Sequence, residues 1–300
     1  MKLIESKVEL IEQQPGLEGM YKQIELAGRT CYKSEDKITE DSAKEFVDRM
    51  IKLGHGAMLE HGTVYLHIPF SDVLVKDFYK NNKYSKYKQT SLDPESGVVD
   101  VLVTTNLRVL VENNRLDDLQ YICEPTEYHE KRITARFTCD RGVSHEIVRH
   151  RVMSFAMEST RYCNYEKDKF GNELTYISPS WLDINKLLPL VDLANKDNKE
   201  VYRMGHDESL SDEDRAMCSF IYDLSNCEHG YLFQIKCGWQ AQQARQLLPN
   251  ALKTEIVVTG FESDWKHFLD LREAGVAGAV HPDMHKLAVE LKELMYGKEV

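Results

Sequence analysis

The chain has no uninterrupted apolar run near the roughly 20 residues that a membrane-spanning helix needs. It has no C-x-x-C pair. Its seven cysteines (Cys31, Cys123, Cys139, Cys163, Cys218, Cys227 and Cys237) are odd in number, which suits free thiols in a reducing compartment better than a disulfide framework or a zinc site. It has no basic excess, and a formal charge of −11 argues against a general nucleic-acid binder. Repeats are absent, as is any Pro- or Ser-rich linker long enough to separate domains, so residues 1–300 are read as a single domain. The start, Met1-Lys2-Leu3-Ile4-Glu5, meets charge at once and has no secretory apolar core, so a cytoplasmic protein without membrane association is expected. What is present, 42% apolar and 29% charged residues, is the composition of an ordinary soluble globular protein.

Periodicity supplies the elements. Residues 40–53 place Ala43, Phe46, Val47, Met50 and Ile51 at amphipathic-helix spacing, with Thr39 or Asp41 as cap and Gly54 as stop. Thr63–Ile68 alternates and ends at Pro69, a strand; Val98–Val103 reads as another, and Leu107–Asn113 begins a helix. Arg132–Cys139 alternates, then passes through Asp140-Arg141-Gly142 into a helix predicted to run from Val143 to Arg151. Helices are also predicted over Asp212–Cys237, Trp239–Leu248, Trp265–Arg272 and Pro282–Tyr296, with a short strand over Glu255–Thr259. Strands and helices mix without a βαβ rhythm, so the fold class expected is α+β, mixed helices packed on a mostly antiparallel sheet.

Against this acidic background one stretch stands out. Arg149, His150, Arg151, Glu158, Ser159, Arg161 and Tyr162 lie close together in sequence. Guanidiniums set near one another repel unless anions hold them, and arginine is the side chain best shaped to grip phosphate. At the end of a helix such cations are also favoured by the helix dipole. The stretch points to an anionic small molecule.

The spacing Arg149-His150-Arg151, seven residues, then Ser159 resembles the RHR-x7-S motif of the flavin-dependent thymidylate synthases, the ThyX family, and Arg161 and Tyr162 extend the match. Ala244-Arg245-Gln246-Leu247-Leu248-Pro249 is similar to that family's Ala-Arg-x-x-Leu-Pro element. His267-Phe268-Leu269-Asp270-Leu271-Arg272 is similar to its closing Phe-Leu-x-x-Arg element, and His55-Gly56-Ala57-Met58-Leu59-Glu60-His61 resembles its His-x-[Ser/Thr]-x-x-Glu-His segment.

The resemblance implies a reaction: methylenetetrahydrofolate donates a methylene group to dUMP, and FAD reduced by NADPH supplies hydride, giving dTMP, tetrahydrofolate and NADP. It implies FAD-contacting roles for His55, Glu60, Arg149, His150, Arg151 and His267. It implies dUMP-binding roles for Arg149, Ser159, Arg161, Arg245 and Arg272, with Arg272 the catalytic residue that favours the ionised pyrimidine. A homotetramer with sites shared between subunits is implied as well. Methylation at uracil C5 needs either a cysteine thiolate or a cation that stabilises ring charge. No cysteine stands in an activated setting, and Cys163 reads as an ordinary small apolar residue, which favours the cation.

The pattern is broken in places. Met157 stands where the family usually has Glu or Gln, with Glu158 beside it as the candidate substitute in dUMP binding; Ala57 replaces a hydroxyl residue; Phe261 and Ser263 stand where relatives often have Asn and Arg. Residues about 69–130 read as an insertion, whose tract Lys76–Lys88, with Tyr79, Tyr84 and Tyr87, is either a solvated helix or loop or an RNA contact. His55, Glu60 and His61 also suggest a metal site but lack the i, i+4 histidine pair of a zincin, and His281 and His285, which have that spacing, lack a third ligand; no metal is expected. A catalytically silent nucleotide- or flavin-binding relative and an RNA-binding protein remain the alternatives.

Overall fold

The computed structural model describes residues 1–69, 71–90 and 99–297. In chain order the elements begin with β1 (Lys2–Ile4), β2 (Lys7–Ile11), α1 (Gly16–Tyr32), α2 (Ser42–Lys52) and α3 (Gly56–Leu59). Next come β3 (Thr63–Pro69), α4 (Val73–Asn81), β4 (Lys86–Gln89), β5 (Asp100–Asn106) and α5 (Leu107–Glu112). Then follow β6 (Arg132–Asp140), α6 (Arg141–Ile147), β7 (Ser154–Met157), β8 (Thr175–Ile177) and the long pair α7 (Ile184–Gly205) and α8 (Asp212–Lys236). The chain closes with α9 (Ala241–Ala244), β9 (Lys253–Phe261), α10 (Glu262–Arg272) and α11 (Pro282–Tyr296).

The central sheet runs β2-β6-β9-β7, antiparallel throughout. A second antiparallel sheet is ordered β3-β5-β4, and β1 pairs with β8 in parallel. This is the α+β class, mostly antiparallel, that the sequence predicts.

Strand alternation sorts the central sheet's two faces. Ile256 and Val258 of β9, with Ala135 and Phe137 of β6, pack beneath Trp265 and Phe268 of α10 and Met284 and Leu287 of α11. Val257 and Ala156 turn the other way, onto Ala27 of α1. Covered on both faces, β9 is almost wholly buried and reads as a continuous apolar run rather than an alternating one. A further core lies between α1, α2 and the three-stranded sheet, and another holds α7 and α8 against β1 and β8. Gly28 permits the approach of α1 to α2, since a Cβ there would meet the Phe46 ring at 2.5 Å.

Several boundaries differ from those expected. The helix predicted through Arg151 ends at Ile147. It is capped by Asp140, which accepts from the Val143 amide at 2.9 Å, and it gives way to turns in which the His150 amide bonds back only three residues, to Ile147. Arg149, His150 and Arg151 therefore lie in a turn beyond a short helix, not within its last turn. Trp239–Leu248 shrinks to α9 followed by a 3-10 turn, whereas the strand expected over Glu255–Thr259 extends to nine residues as β9. Val98 lies outside the described residues, and the strand there runs Asp100–Asn106. Within the Lys76–Lys88 tract, Tyr79 is fully buried and donates to Asp118 at 2.9 Å, so it cannot present its ring to RNA.

Candidate active site

The turn after α6 meets the end of α10. Phe268, on the buried face of α10, sets its ring 4.7 Å from that of His150 at a tilt of 53°, and one turn on in α10 Arg272 reaches the same spot. The Arg272 guanidinium donates from Nε to His150 Nε2 at 3.1 Å, from Nη1 to the Glu146 carboxylate at 2.7 Å, and from Nη2 to the Glu146 carbonyl oxygen at 3.2 Å. Three bonds fix a planar group in one orientation. His150 must accept at Nε2, so it is neutral with its proton on Nδ1. Burial, with Arg272 and His267 adding to it, pushes the ring down to about 4, so this tautomer holds at neutral pH. His267 stands exposed, its ring 6.4 Å from that of His150.

Arg149 and Arg151 project from this turn and are exposed, as are Arg161 and Arg245. Among the described residues none of these four guanidiniums is paired with a carboxylate. In a chain of formal charge −11, these arginines, two of them on the turn beside Arg272, are left unneutralised by the protein's own carboxylates among the described residues.

After β7 the chain folds against the end of α1. The Ser159 amide donates to the Cys31 carbonyl at 2.9 Å, the Arg161 amide to Ser159 Oγ at 3.4 Å, and the Tyr162 ring lies 5.1 Å from that of Tyr32. Cys31 and Tyr32 also line a cavity of about 340 Å³ shared with His55, Ala57, Met58 and Arg108. The Ser159–Tyr162 loop therefore packs against Cys31 and Tyr32, which line the cavity that the His55 segment also lines.

Glu60 holds one end of this wall, with its carboxylate accepting from Arg108 at 2.5 Å and its carbonyl from Arg132 at 2.9 Å. His61 is separated from His55. It is fully buried, with Nδ1 at 2.8 Å from Thr259 Oγ1, and burial together with Arg132 takes it down to about 3. Among the described residues its buried Nε2 has no well-formed hydrogen bond, only a contact with the Phe155 backbone.

Met157 and Glu158 part company. Met157 packs against the core beneath α10 and α11, while Glu158, only 2% exposed, turns the other way. There its carboxylate accepts from Tyr165 Oη at 2.9 Å and pairs with Lys253 at 2.9 Å. Lys253 bridges on to Glu255 at 2.8 Å, and Glu255 to Lys33 at 3.0 Å, a ladder of alternating charge that runs from buried Glu158 outward through half-buried partners. Burial alone would raise the Glu255 carboxyl, but Lys253 and Lys33 outweigh it and bring it to about 2. Glu158, Lys33 and Lys253 line a cavity of about 650 Å³ that none of the site arginines lines. The structure therefore does not bring Glu158 to the Arg272 cluster; it makes Glu158 the anchor just before Ser159.

Sequence reasoning missed Glu146 and Lys253. Glu146 carried a signal, since it precedes His150 by four residues and so shares its side of the helix end. Lys253 carried none, because Glu158, the partner that ties it to this loop, comes from a distant part of the chain.

The sequence matches the Thy1 family, described as thymidylate synthase complementing protein, over residues 9–93 and 127–298. The match takes in most of the chain, and the protein belongs to this family of flavin-dependent thymidylate synthases. It is 25% identical over 274 residues to the flavin-dependent thymidylate synthase of Corynebacterium aurimucosum, covering 91% of this chain and 74% of that one. Identity to the Geobacter sulfurreducens enzyme of the same name is 26% over 157 residues, and there the chain spans about half of the relative (53%). Among solved structures it is similar to the UMP/dUMP methylase PolB of Streptomyces cacaoi bound with 5-Br dUMP, with a TM-score of 0.44, 15% identity, and 98% and 92% of the two chains covered. Thymidylate synthase X of Helicobacter pylori with FAD and dUMP gives a TM-score of 0.39 at 14% identity over 97% and 94%.

Proposed function

We propose that this chain catalyses the reductive methylation of dUMP to dTMP, with methylenetetrahydrofolate as carbon donor and NADPH as the source of reducing equivalents through FAD. The observation that carries this reading is Arg272, fixed by Glu146 and His150 beside a turn of exposed, unpaired arginines. A guanidinium held in advance where ring charge develops loses nothing to reorganisation, and one such donor contributes about 3 kcal/mol to a barrier. A protein nucleophile is disfavoured by the state of the thiols: burial pushes Cys31 up to about 11 and Cys163 up to about 12, and Cys139 well above its ordinary value. A thiol held protonated is a poor nucleophile.

The residues suit FAD in part. His55, Arg149, Arg151 and His267 are exposed cations or donors fit for its phosphates, Glu60 is held beside the His55 cavity, and neutral His150 offers its Nδ1 proton. When bound, FAD supplies the hydride. At the positions where relatives carry Asn and Arg, this chain has spent the side chains internally. The Phe261 ring receives Lys86 and Arg132 at 5.1 and 5.5 Å, and Ser263 hydrogen-bonds Glu130 at 2.5 Å. The adenine end is thereby left to other contacts.

For dUMP we assign the phosphate and sugar to Ser159, Arg161 and Arg245 and the pyrimidine to Arg272, with Arg149 shared between nucleotide and flavin. Glu158 serves through its ladder, by fixing where Ser159 begins. Arg149, Arg151, Arg161 and Arg245 are all open to solvent in the single chain, which supports a homotetramer whose neighbouring subunits complete each site.

A second reading, a nucleotide-binding relative without turnover, is favoured by the internal contacts of Phe261 and Ser263 and by the packing of the half-buried Met157 against the core. Titration of the protein with FAD, followed by its visible spectrum and then by dUMP addition, separates the two. A bound flavin whose spectrum shifts with dUMP supports the synthase; dUMP binding with no flavin retained supports the silent relative and contradicts the proposal.

A further inference from the structure

The Arg272 guanidinium has five N–H donors, and three of them are taken by His150 Nε2, the Glu146 carboxylate and the Glu146 carbonyl, leaving two for a ligand. Two of these three acceptors belong to one residue, and the third, His150, lies four positions further along the same segment. The ion pair is half-buried, with 19% of the Arg272 and 29% of the Glu146 side chain exposed, so solvent screens it less than a surface pair. From this geometry we infer that Glu146 is a positioning residue for Arg272, setting the plane of its guanidinium and, through it, the acceptor state of His150.

This rests on the synthase reading, in which Arg272 meets the pyrimidine. Glu146 acts through Arg272 and need not touch the nucleotide. What it supplies is the angle at which the two remaining N–H groups are presented, and a group that must meet charge only as the reaction proceeds depends on angle more than on affinity. An acceptor in the same place is sufficient: the glutamine side-chain oxygen can take the same N–H from Nη1, whereas alanine leaves Arg272 with His150 and a carbonyl alone.

The test compares wild type, Glu146→Ala and Glu146→Gln in steady-state turnover of dUMP, alongside ¹⁵N spectra of the histidine side chains. Glu146→Ala is expected to lower kcat at least tenfold with KM for dUMP within threefold, and Glu146→Gln to recover kcat to within threefold of wild type. In Glu146→Ala the His150 signals should leave the pattern of a neutral ring protonated at Nδ1 and hydrogen-bonded at Nε2. Loss in KM alone, kcat unchanged in Glu146→Ala, or Glu146→Gln as impaired as Glu146→Ala would each overturn the inference. A wild type that makes no dTMP would count against the synthase reading instead, and the His150 signals then decide on their own: unchanged in Glu146→Ala, they refute the positioning role.

Discussion

Two histidines lie within reach of a cation and both are held neutral, but they answer to different needs. His150 is an acceptor for Arg272. His61 is enclosed, bonded to Thr259, and kept near 3 chiefly by burial. The unfolded imidazole takes up a proton near pH 6.5, so between that value and about 3 the unfolded chain binds more protons and stability falls as pH falls. From His61 alone the loss between pH 7 and pH 5 is about 2 kcal/mol. Glu255, brought to about 2, adds a loss of the same sign below the ordinary carboxylate range. Urea unfolding of wild type and His61→Asn at the two pH values checks this: the variant should show a flatter dependence, and equal slopes would mean that His61 is not neutral in the folded protein. His150 and His61 were both legible as motif residues in the sequence, but their separate environments were not, because Thr259, Arg132 and Arg272 come from other strands and helices.

At the scale of elements, what the sequence showed follows how strongly each element depends on its own pattern. Arg132–Cys139 and Asp212–Cys237 carry clear periods of two and 3.6, and the structure places β6 and α8 there. The α1 and α7 helices escaped. In α7, Pro189 and the non-helical backbone at Asp197 interrupt the stripe formed by Leu187, Val191, Ala194 and Val201. In α1 the inward face includes Gln23, Glu25, Arg29 and Thr30, polar residues buried through their own partners, such as the Arg29–Glu25 pair at 2.7 Å. The loop after β7 was read from Ser159 and Arg161, yet its support is the Glu158–Lys253–Glu255–Lys33 ladder, invisible without the β7–β9 pairing. Removing one member of a buried pair leaves an uncompensated charge, which costs about 3 kcal/mol. Glu158→Ala is therefore predicted to lower unfolding free energy by roughly that amount. Its residual folded protein should bind dUMP less than tenfold more weakly, by calorimetry. Unchanged stability with dUMP binding abolished would mean that Glu158 touches the nucleotide directly.

For the whole molecule, charge distribution and assembly belong together. A chain of formal charge −11 exposes Arg149, Arg151, Arg161 and Arg245 without carboxylate partners among the described residues. The stretch 69–130, proposed above as an insertion, contributes β4 and β5 to the three-stranded sheet, whose core includes Met20 and Ile24 of α1. We therefore propose that it folds as part of a single 1–300 domain rather than as a separate unit. Light scattering should give four times the mass of the chain, and Arg149→Glu should weaken flavin binding by more than tenfold; a monomer with full flavin affinity would contradict the shared-site account. The fold class was readable from sequence because it depends on patterns within segments. The candidate site could be proposed from sequence only as a list of residues, and only the folded chain shows that Arg272, His150 and Glu146 form one unit while Glu158 bonds to Lys253 and Tyr165 instead.

The most direct test of the central claim is anaerobic formation of dTMP from dUMP with FAD, NADPH and methylenetetrahydrofolate, run on wild type and Arg272→Ala. The account predicts turnover by the wild type and a loss of at least a hundredfold in kcat, about 3 kcal/mol, in the variant. Equal turnover in both, or a wild type that binds dUMP and reduced flavin yet makes no dTMP, would contradict it.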